Sequence, residues 1–188
     1  VFVYDTRNDS DPSWRKRCQG LSWFDEDLNT ATRGGRRSFP SVALIVADNG
    51  GTSNVTIYDL DDPAMPMWMV INRGNGHILF GADMGSVFAL NGRLYVGHNV
   101  ASGALSEISF ADDFGFVRIN NTSAYNGATI ADREVRTSDT VTGTTGALVS
   151  RAVNDVAATY LEGGELDSLG LVRPVVACAT AGGVSVIH

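Results

Sequence analysis

The feature that most limits what this chain can become is a succession of short apolar segments broken every few residues by Gly, Asn or Asp. Between residues 42 and 119 it reads VALIVADNGGTSNVTIYDLDDPAMPMWMVIN and then GSVFALNGRLYVGHNVASGALSEISFADDFGFVRIN, with no apolar stripe at helical spacing in either half. Such segments, rich in β-branched and aromatic residues and closed by turn residues, are strands: their side chains suit a pleated surface and crowd a helix. VALIV is apolar throughout, as a strand covered on both faces requires. Asn49-Gly50-Gly51 and Asn91-Gly92 supply the positive-φ positions of tight hairpins. Asp59-Leu60-Asp61-Asp62-Pro63 and Asp112-Asp113 read as further turns, in which Asp side chains bond the local backbone. The pattern predicts three strands over 42–72 and four over 85–119, and it returns at the end in RPVVACATAGGVSVIH.

The return has a period. From Val42 to Val87 is 45 positions, and from Val87 to Val175 is 88, close to twice that step. A unit of about 44 residues with four antiparallel strands is the size of a β-propeller blade, which buries its faces only by stacking on neighbours. The expected fold class is therefore mainly β: consecutive antiparallel four-stranded units, β-propeller-like and amounting to a partial propeller, with one α-helical insertion. Residues 1–41 are expected to form an extended N-terminal arm in which Val1 to Tyr4 can be a strand, 42–119 two blade-like units, 120–172 an insertion, and 173–188 the start of a third unit. A chain that stops inside a hairpin leaves strand edges open. The expectation is thus a piece of a longer polypeptide, or a sheet completed by a partner, and the start at Val1 without Met agrees.

The arm and the insertion differ from the strands in composition. Residues 1–41 hold Trp14, Trp23 and half of the Lys and Arg of the chain, namely Arg7 and the clusters Arg15-Lys16-Arg17 and Arg33, Arg36 and Arg37, nearly balanced by acids of the same segment. One reading anchors the tryptophans to the core and leaves the charges solvated. The other makes the arm a docking element for a neighbouring subunit, since Trp and Arg favour interfaces. In the insertion, residues 120–146 are polar and rich in Thr, Ser, Asn and Gly. Leu148, Val149, Ala152, Val153, Val156, Ala157, Tyr160 and Leu161 then recur at helical spacing. Thr144 or Thr145 is the candidate cap and Gly163-Gly164 the stop, so a helix is predicted at about 146–162.

A net charge of −7 argues against nucleic acid as partner and against an anionic membrane surface. No apolar run approaches the roughly 18 residues that cross a bilayer, so membrane insertion is not expected. Cys18 and Cys178 lack metal-ligand spacing and read as two buried thiols, with a long-range disulfide as the alternative. No nucleophile elbow, zincin helix or phosphate loop accompanies His77, His98 and His188, which read as surface or turn residues. The acids Asp59, Asp61 and Asp62 lack the spacing of a calcium loop, and Asp112-Asp113 lacks a readable partner for glycoside hydrolysis. No catalytic residue, cofactor or metal is assigned. The aromatics Trp14, Trp23, Trp68 and Tyr95 have core packing or anchoring as their default role. Together with Arg33, Arg36 and Arg37 they are the candidate interface or glycan contacts.

The string FVYDTRNDSDPSWRKR, then Ser22-Trp23, then LNTATRGGRRSFPSVALIVA resembles the opening of a family of large virion-associated proteins of tailed bacteriophages, many of them marine, and of related prophages. The resemblance continues through VTIYDLDDPAMPMWMVIN, ALNGRLYVG, TIADRE, VNDVAATYL and PVVACATAGGVSVI, covering nearly the whole chain in order, while residues 120–146 depart from the family pattern. It implies a tail- or fibre-type structural protein with a propeller-like N-terminal region, commonly followed by laminin-G-like or other carbohydrate-binding modules. The expected role is assembly, extending to host-surface adhesion, outside the cell on the virion. The expected partners are other virion proteins, copies of itself and host-surface polysaccharide. A secreted propeller-type polysaccharide hydrolase or lyase, and a non-catalytic glycan-binding module, stand as the alternatives.

Overall fold

The computed structural model describes residues 1–50, 53–74, 77–119, 124–126, 129–135, 140–141 and 148–188. These form three antiparallel sheets. The first joins β1 (Phe2–Asp5), β2 (Val42–Asp48), β3 (Asn54–Asp59) and β4 (Met67–Asn72) in that order. The second runs from β5 (Met84–Leu90) through β6 (Arg93–His98), β7 (Leu105–Ser109) and β8 (Phe114–Arg118) to the short β9 (Ala124–Asn126) and β10 (Thr140–Val141). The third is β11 (Val153–Thr159), β12 (Val175–Thr180) and β13 (Gly183–Ile187).

The strands expected over 42–72, 85–119 and 174–187 are all present, and the Asn91-Gly92 turn closes β5 onto β6 with φ of +51° and +67°. A turn with two left-handed residues matches the twist of the strands it joins, and Asn-Gly tolerates that conformation at both positions.

The sheets lie as layers, with the second in the middle. One of its faces packs on the first sheet: Ile45, Ile57, Met69 and Ile71 share a core with Ala89, Leu94, Val96 and Ile108. The other face, through Tyr95 and Leu105, packs on Val153, Val156, Val176, Cys178 and Ile187 of the third. Every residue of β6 and β7 is consequently buried. At Gly97 an added Cβ would lie 2.7 Å from Val153 Cγ1, so a glycine lets β11 close on β6. The earliest strands lie together, β1 and β2 against β5, and β5 and β6 against β11.

Three expectations are corrected. Residues 1–41 are not an extended arm. β1 pairs with β2, from Phe2↔Ile45 to Asp5↔Val42, and so supplies the first strand of the first sheet. Two short 3-10 turns (Thr6–Asn8 and Pro12–Lys16) and a four-residue helical turn (Ser22–Asp25) then carry Trp14 and Trp23 into the core. The edge of β2 attracts β1 because Phe2 and Tyr4 alternate with Val3 and Asp5, placing both rings on the core side.

The helix predicted at 146–162 is instead the strand β11, although residues 146–147 and the caps Thr144 and Thr145 lie outside the described residues. The physical reason is a bulge. The register jumps from Val153↔Thr180 to Asp155↔Ala179, so Asn154 is the extra residue and Val153 and Val156 reach the same face three positions apart. A bulge converts the two-residue period of a strand into a three-residue step that imitates a helix.

Finally, the repeat frame shifts. Val42 and Val175 begin second strands of their sheets, whereas Val87 lies in the first strand of its sheet. The 45-residue step therefore equates strands at different positions, and the unit begins at β1.

Candidate functional site

Five of the seven candidate contact residues are buried, the four aromatics and Arg33. Trp14 and Trp23 are fully buried, and Trp68 and Tyr95 are each 1% exposed. Trp23, Phe39, Trp68 and Phe110 form an edge-to-face cluster with centroids 4.7–5.8 Å apart, the arrangement that ring quadrupoles favour. The indole N–H groups are satisfied inside: Trp23 Nε1 donates to the Phe110 carbonyl at 2.9 Å and Trp68 Nε1 to that of Ser38 at 2.9 Å. Core packing, the default for these aromatics, is what the structure shows. No open indole face remains for a sugar or a subunit.

The arginines divide. Arg33 is buried over the Trp68 ring, 4.3 Å from its centroid, and donates to the carbonyls of Arg36, Trp68 and Arg37. Glu26 lies between Arg33, whose Nε is 3.4 Å from Oε2, and Arg133, which holds its other oxygen. Arg33 and Arg133 thus pin the 26–37 segment to the first sheet, and burial lowers the Arg33 guanidinium to about 10. Arg36 bridges Asp59 and Asp61 at 2.8 and 2.7 Å. Arg37 is exposed and rests beside Phe24.

The acidic turn opens on a concavity of 730 Å³, but its carboxylates are engaged. Asp61 accepts from the Ser41 and Val42 N–H groups while Asp59 and Asp61 share Arg36. Among the described residues no group of His, Cys, Asp and Glu is placed to hold a metal ion. Asp113 accepts from the Ser22 N–H and hydroxyl, both at 2.6 Å, which ties the helical turn to the second sheet. The reading of these acids as structural turns agrees with the geometry.

A second cleft, of 260 Å³, lies between the second and third sheets and is lined by Arg93, Glu107, Arg118, Glu165 and Arg173. Arg93 and Tyr95 project from one face of β6, Glu107 from β7, which pairs Tyr95 with Glu107, and Arg118 from β8. Glu107 is clamped by Arg93 Nη1 at 2.8 Å and Arg118 Nη2 at 2.9 Å. Arg93 continues to Asp112, which lies 3.4 Å from Arg173. The result is an alternating chain, Arg118–Glu107–Arg93–Asp112–Arg173. Burial acts to raise the Asp112 carboxyl, but the Ser168 N–H and the Arg93 and Arg173 guanidinia outweigh it and hold it below its ordinary value.

No family model, curated protein or solved structure matches the chain. Function must be argued from the geometry.

Of the histidines, His98 departs from the expected surface or turn position. It is fully buried on β6, with Nε2 3.1 Å from the Ser106 hydroxyl, and burial lowers its imidazole to about 4. Below an unfolded value of about 6.5 the denatured chain takes up a proton that the native chain refuses until about 4. Stability is therefore present above about pH 6.5 and is lost as pH falls through that window, by up to about 3 kcal/mol. Urea unfolding at pH 7 and pH 4.5 should show His98→Gln losing about 1–3 kcal/mol less than the parent. Equal losses would assign the acid sensitivity elsewhere. Cys18 and Cys178 are free and buried, with burial pushing their thiols up to about 12 and about 11.

The sequence reading missed Asp9, Glu26, Glu107 and Arg133. Arg93 and Tyr95 stand two apart on one strand, a weak signal by itself. That Glu107 and Arg118 join them depends on strand register.

Proposed function

We infer that the three sheets are consecutive blades of a β-propeller-type scaffold, and that the protein serves as a structural component of a phage tail or fibre. It would act by holding neighbouring chains and presenting a rigid surface, outside the cell on the virion, rather than by turning over a substrate. The observation that carries this reading is that the outer layers are apolar where nothing covers them. On the third sheet Val184 and Val186 are 67% and 58% exposed, and on the first sheet Val3 is 56% exposed. The strands VALIVAD and GVSVI carry apolar residues on both faces. A sheet of that composition belongs between two layers, and exposed apolar surface of this kind marks an interaction face. The convergence of β1, β5 and β11 supports the blade arrangement, since propeller sheets fan out from their innermost strands.

The resemblance to virion-associated proteins supplies the particle and its partners: copies of the chain, other virion proteins and host-surface polysaccharide. The net charge of −7 favours neither nucleic acid nor an anionic membrane. Among the described residues no helix is long and apolar enough to cross a membrane. The hydrolase or lyase alternative needs two free carboxylates about 5–10 Å apart across one bond, whereas Asp59, Asp61, Asp112 and Asp113 are all engaged in ion pairs or turns.

The test combines two measurements. Immunogold labelling of purified particles with antibodies to this chain should decorate the tail or fibre, and light scattering should show association of the chain with itself or with particle proteins. A compact monomer that cleaves host glycan and is absent from particles would refute the scaffold reading.

A further inference from the structure

The 260 Å³ cleft between the second and third sheets has a use that scaffolding does not require. It sits at the small end of ligand pockets, which run to roughly 300–1,000 Å³ for drug-sized molecules, and suits a single ring rather than an extended chain. The chain Arg118–Glu107–Arg93–Asp112–Arg173 starts and ends on arginine, with Asp167 a third buried carboxylate acting on Arg93 and Asp112. The end members are the accessible ones, with side chains 17% and 38% exposed against 3% for Arg93. Arg118 binds Glu107 through Nε and Nη2, and Arg173 touches Asp112 through Nη2 alone. The remaining guanidinium N–H groups of both have no partner among the described residues.

Tyr95 adds an independent observation. It is 1% exposed and lines the cleft, yet its hydroxyl makes no hydrogen bond with any described residue. The phenol oxygen therefore opens on the cleft and is available to bond water or a ligand there. The opposite wall carries Pro174, Val176 and Ile187, an apolar strip beside the donors. Glu165, also at the rim, is exposed, so solvent screens its charge.

We propose that this cleft binds an acidic sugar unit, with its carboxylate held by Arg118 and Arg173, a ring hydroxyl or ether oxygen accepting from Tyr95, and its C–H face laid on the apolar strip. A guanidinium fork matches a carboxylate in shape and charge. Donors on one wall and apolar groups on the other match the two characters of a pyranose ring. Neither part of this argument depends on the scaffold role.

The experiment titrates the full chain with glucuronate, and in parallel with glucose and with acetate, by calorimetry or by amide shifts in NMR. Glucuronate should bind at least about tenfold more tightly than glucose, since a hydrogen bond to a charged group is worth about 1.5–3 kcal/mol, and more tightly than acetate, which lacks the ring that meets Tyr95 and the apolar strip. Tyr95→Phe keeps the ring in the core and should weaken glucuronate about fivefold or more. Arg173→Gln should weaken it about tenfold, both with the melting temperature within a degree or two of the parent. Equal binding of acetate would reassign the cleft to carboxylates in general and overturn the sugar. Absence of glucuronate binding, or unchanged affinity in both variants, would overturn the site.

Discussion

Glu107→Ala should destabilise the protein by about 3–5 kcal/mol, read from urea unfolding at pH 7, because it leaves two guanidinia without their shared carboxylate. Arg93 is 3% exposed and Arg118 17%, and each donates to a different oxygen of Glu107. Removing one partner of a buried ion pair costs more than the pair contributes, since the charge left behind keeps its desolvation penalty. That distinction is measurable. Arg93→Met combined with Glu107→Leu removes both charges and substitutes apolar volume, and should be less destabilised than the sum of the single variants by at least about 1.5 kcal/mol. Asp112 retains the Ser168 N–H and Arg173 in that variant. If Glu107→Ala costs less than about 1 kcal/mol, the network is solvated and the account given for it fails.

The second large effect is expected at Asp9, 5% exposed beneath the Asn91-Gly92 turn. Its carboxylate accepts from the Tyr4 hydroxyl at 2.6 Å, from Trp14 Nε1 at 2.8 Å and from the Asn91 N–H at 2.7 Å. The Tyr4 oxygen in turn accepts from the Gly92 N–H at 2.7 Å. The Asn91 side chain accepts from the Ser10 N–H and donates to the Val172 carbonyl. One acid thus joins the first strand, the 3-10 turn that carries Trp14, the central hairpin and the approach to β12. Asp9→Ala strands three buried donors, each worth about 1–3 kcal/mol, partly offset by relief of a carboxyl that burial pushes above its ordinary value. A net loss of about 3–5 kcal/mol follows, with Asp9→Asn milder because its amide keeps one acceptor. Thermal and urea unfolding would report it, and a loss below about 1 kcal/mol would mean that water replaces the carboxylate.

These two acids show where sequence reading reaches its limit. Asp9 sits in the string RNDSDPSW, where each Asp looks like another turn former, and nothing local separates it from Asp11, whose side chain accepts from the Ser13 N–H. Glu107 sits in LSEISF, where one acid on an apolar strand would ordinarily mark the solvent face. Its partners, Arg93 and Arg118, are 14 and 11 positions away. Arg33 resisted reading for a related reason. Beside Arg36 and Arg37 it looks like one member of a basic surface cluster, yet it alone enters the core, because the Trp68 ring and three carbonyls await it there.

The sequence by itself determined what is local in energy. β-Branched and aromatic runs became strands in the segments where they were expected, and Asn91-Gly92 became the tight hairpin. The Asp-rich turns folded their carboxylates back on the chain, and the thiols and indoles went inside. Tertiary structure decided everything that depends on which strand meets which. It joined β1 to β2 across 36 intervening residues, absorbed Asn154 as a bulge that turned an apparent helix into β11, and assembled five charged side chains from separate segments into one chain of ion pairs. The physical reason is common to all three. Propensity and turn chemistry act over a few neighbouring residues, whereas register, desolvation and ion pairing exist only after distant backbones have been brought within about 5 Å.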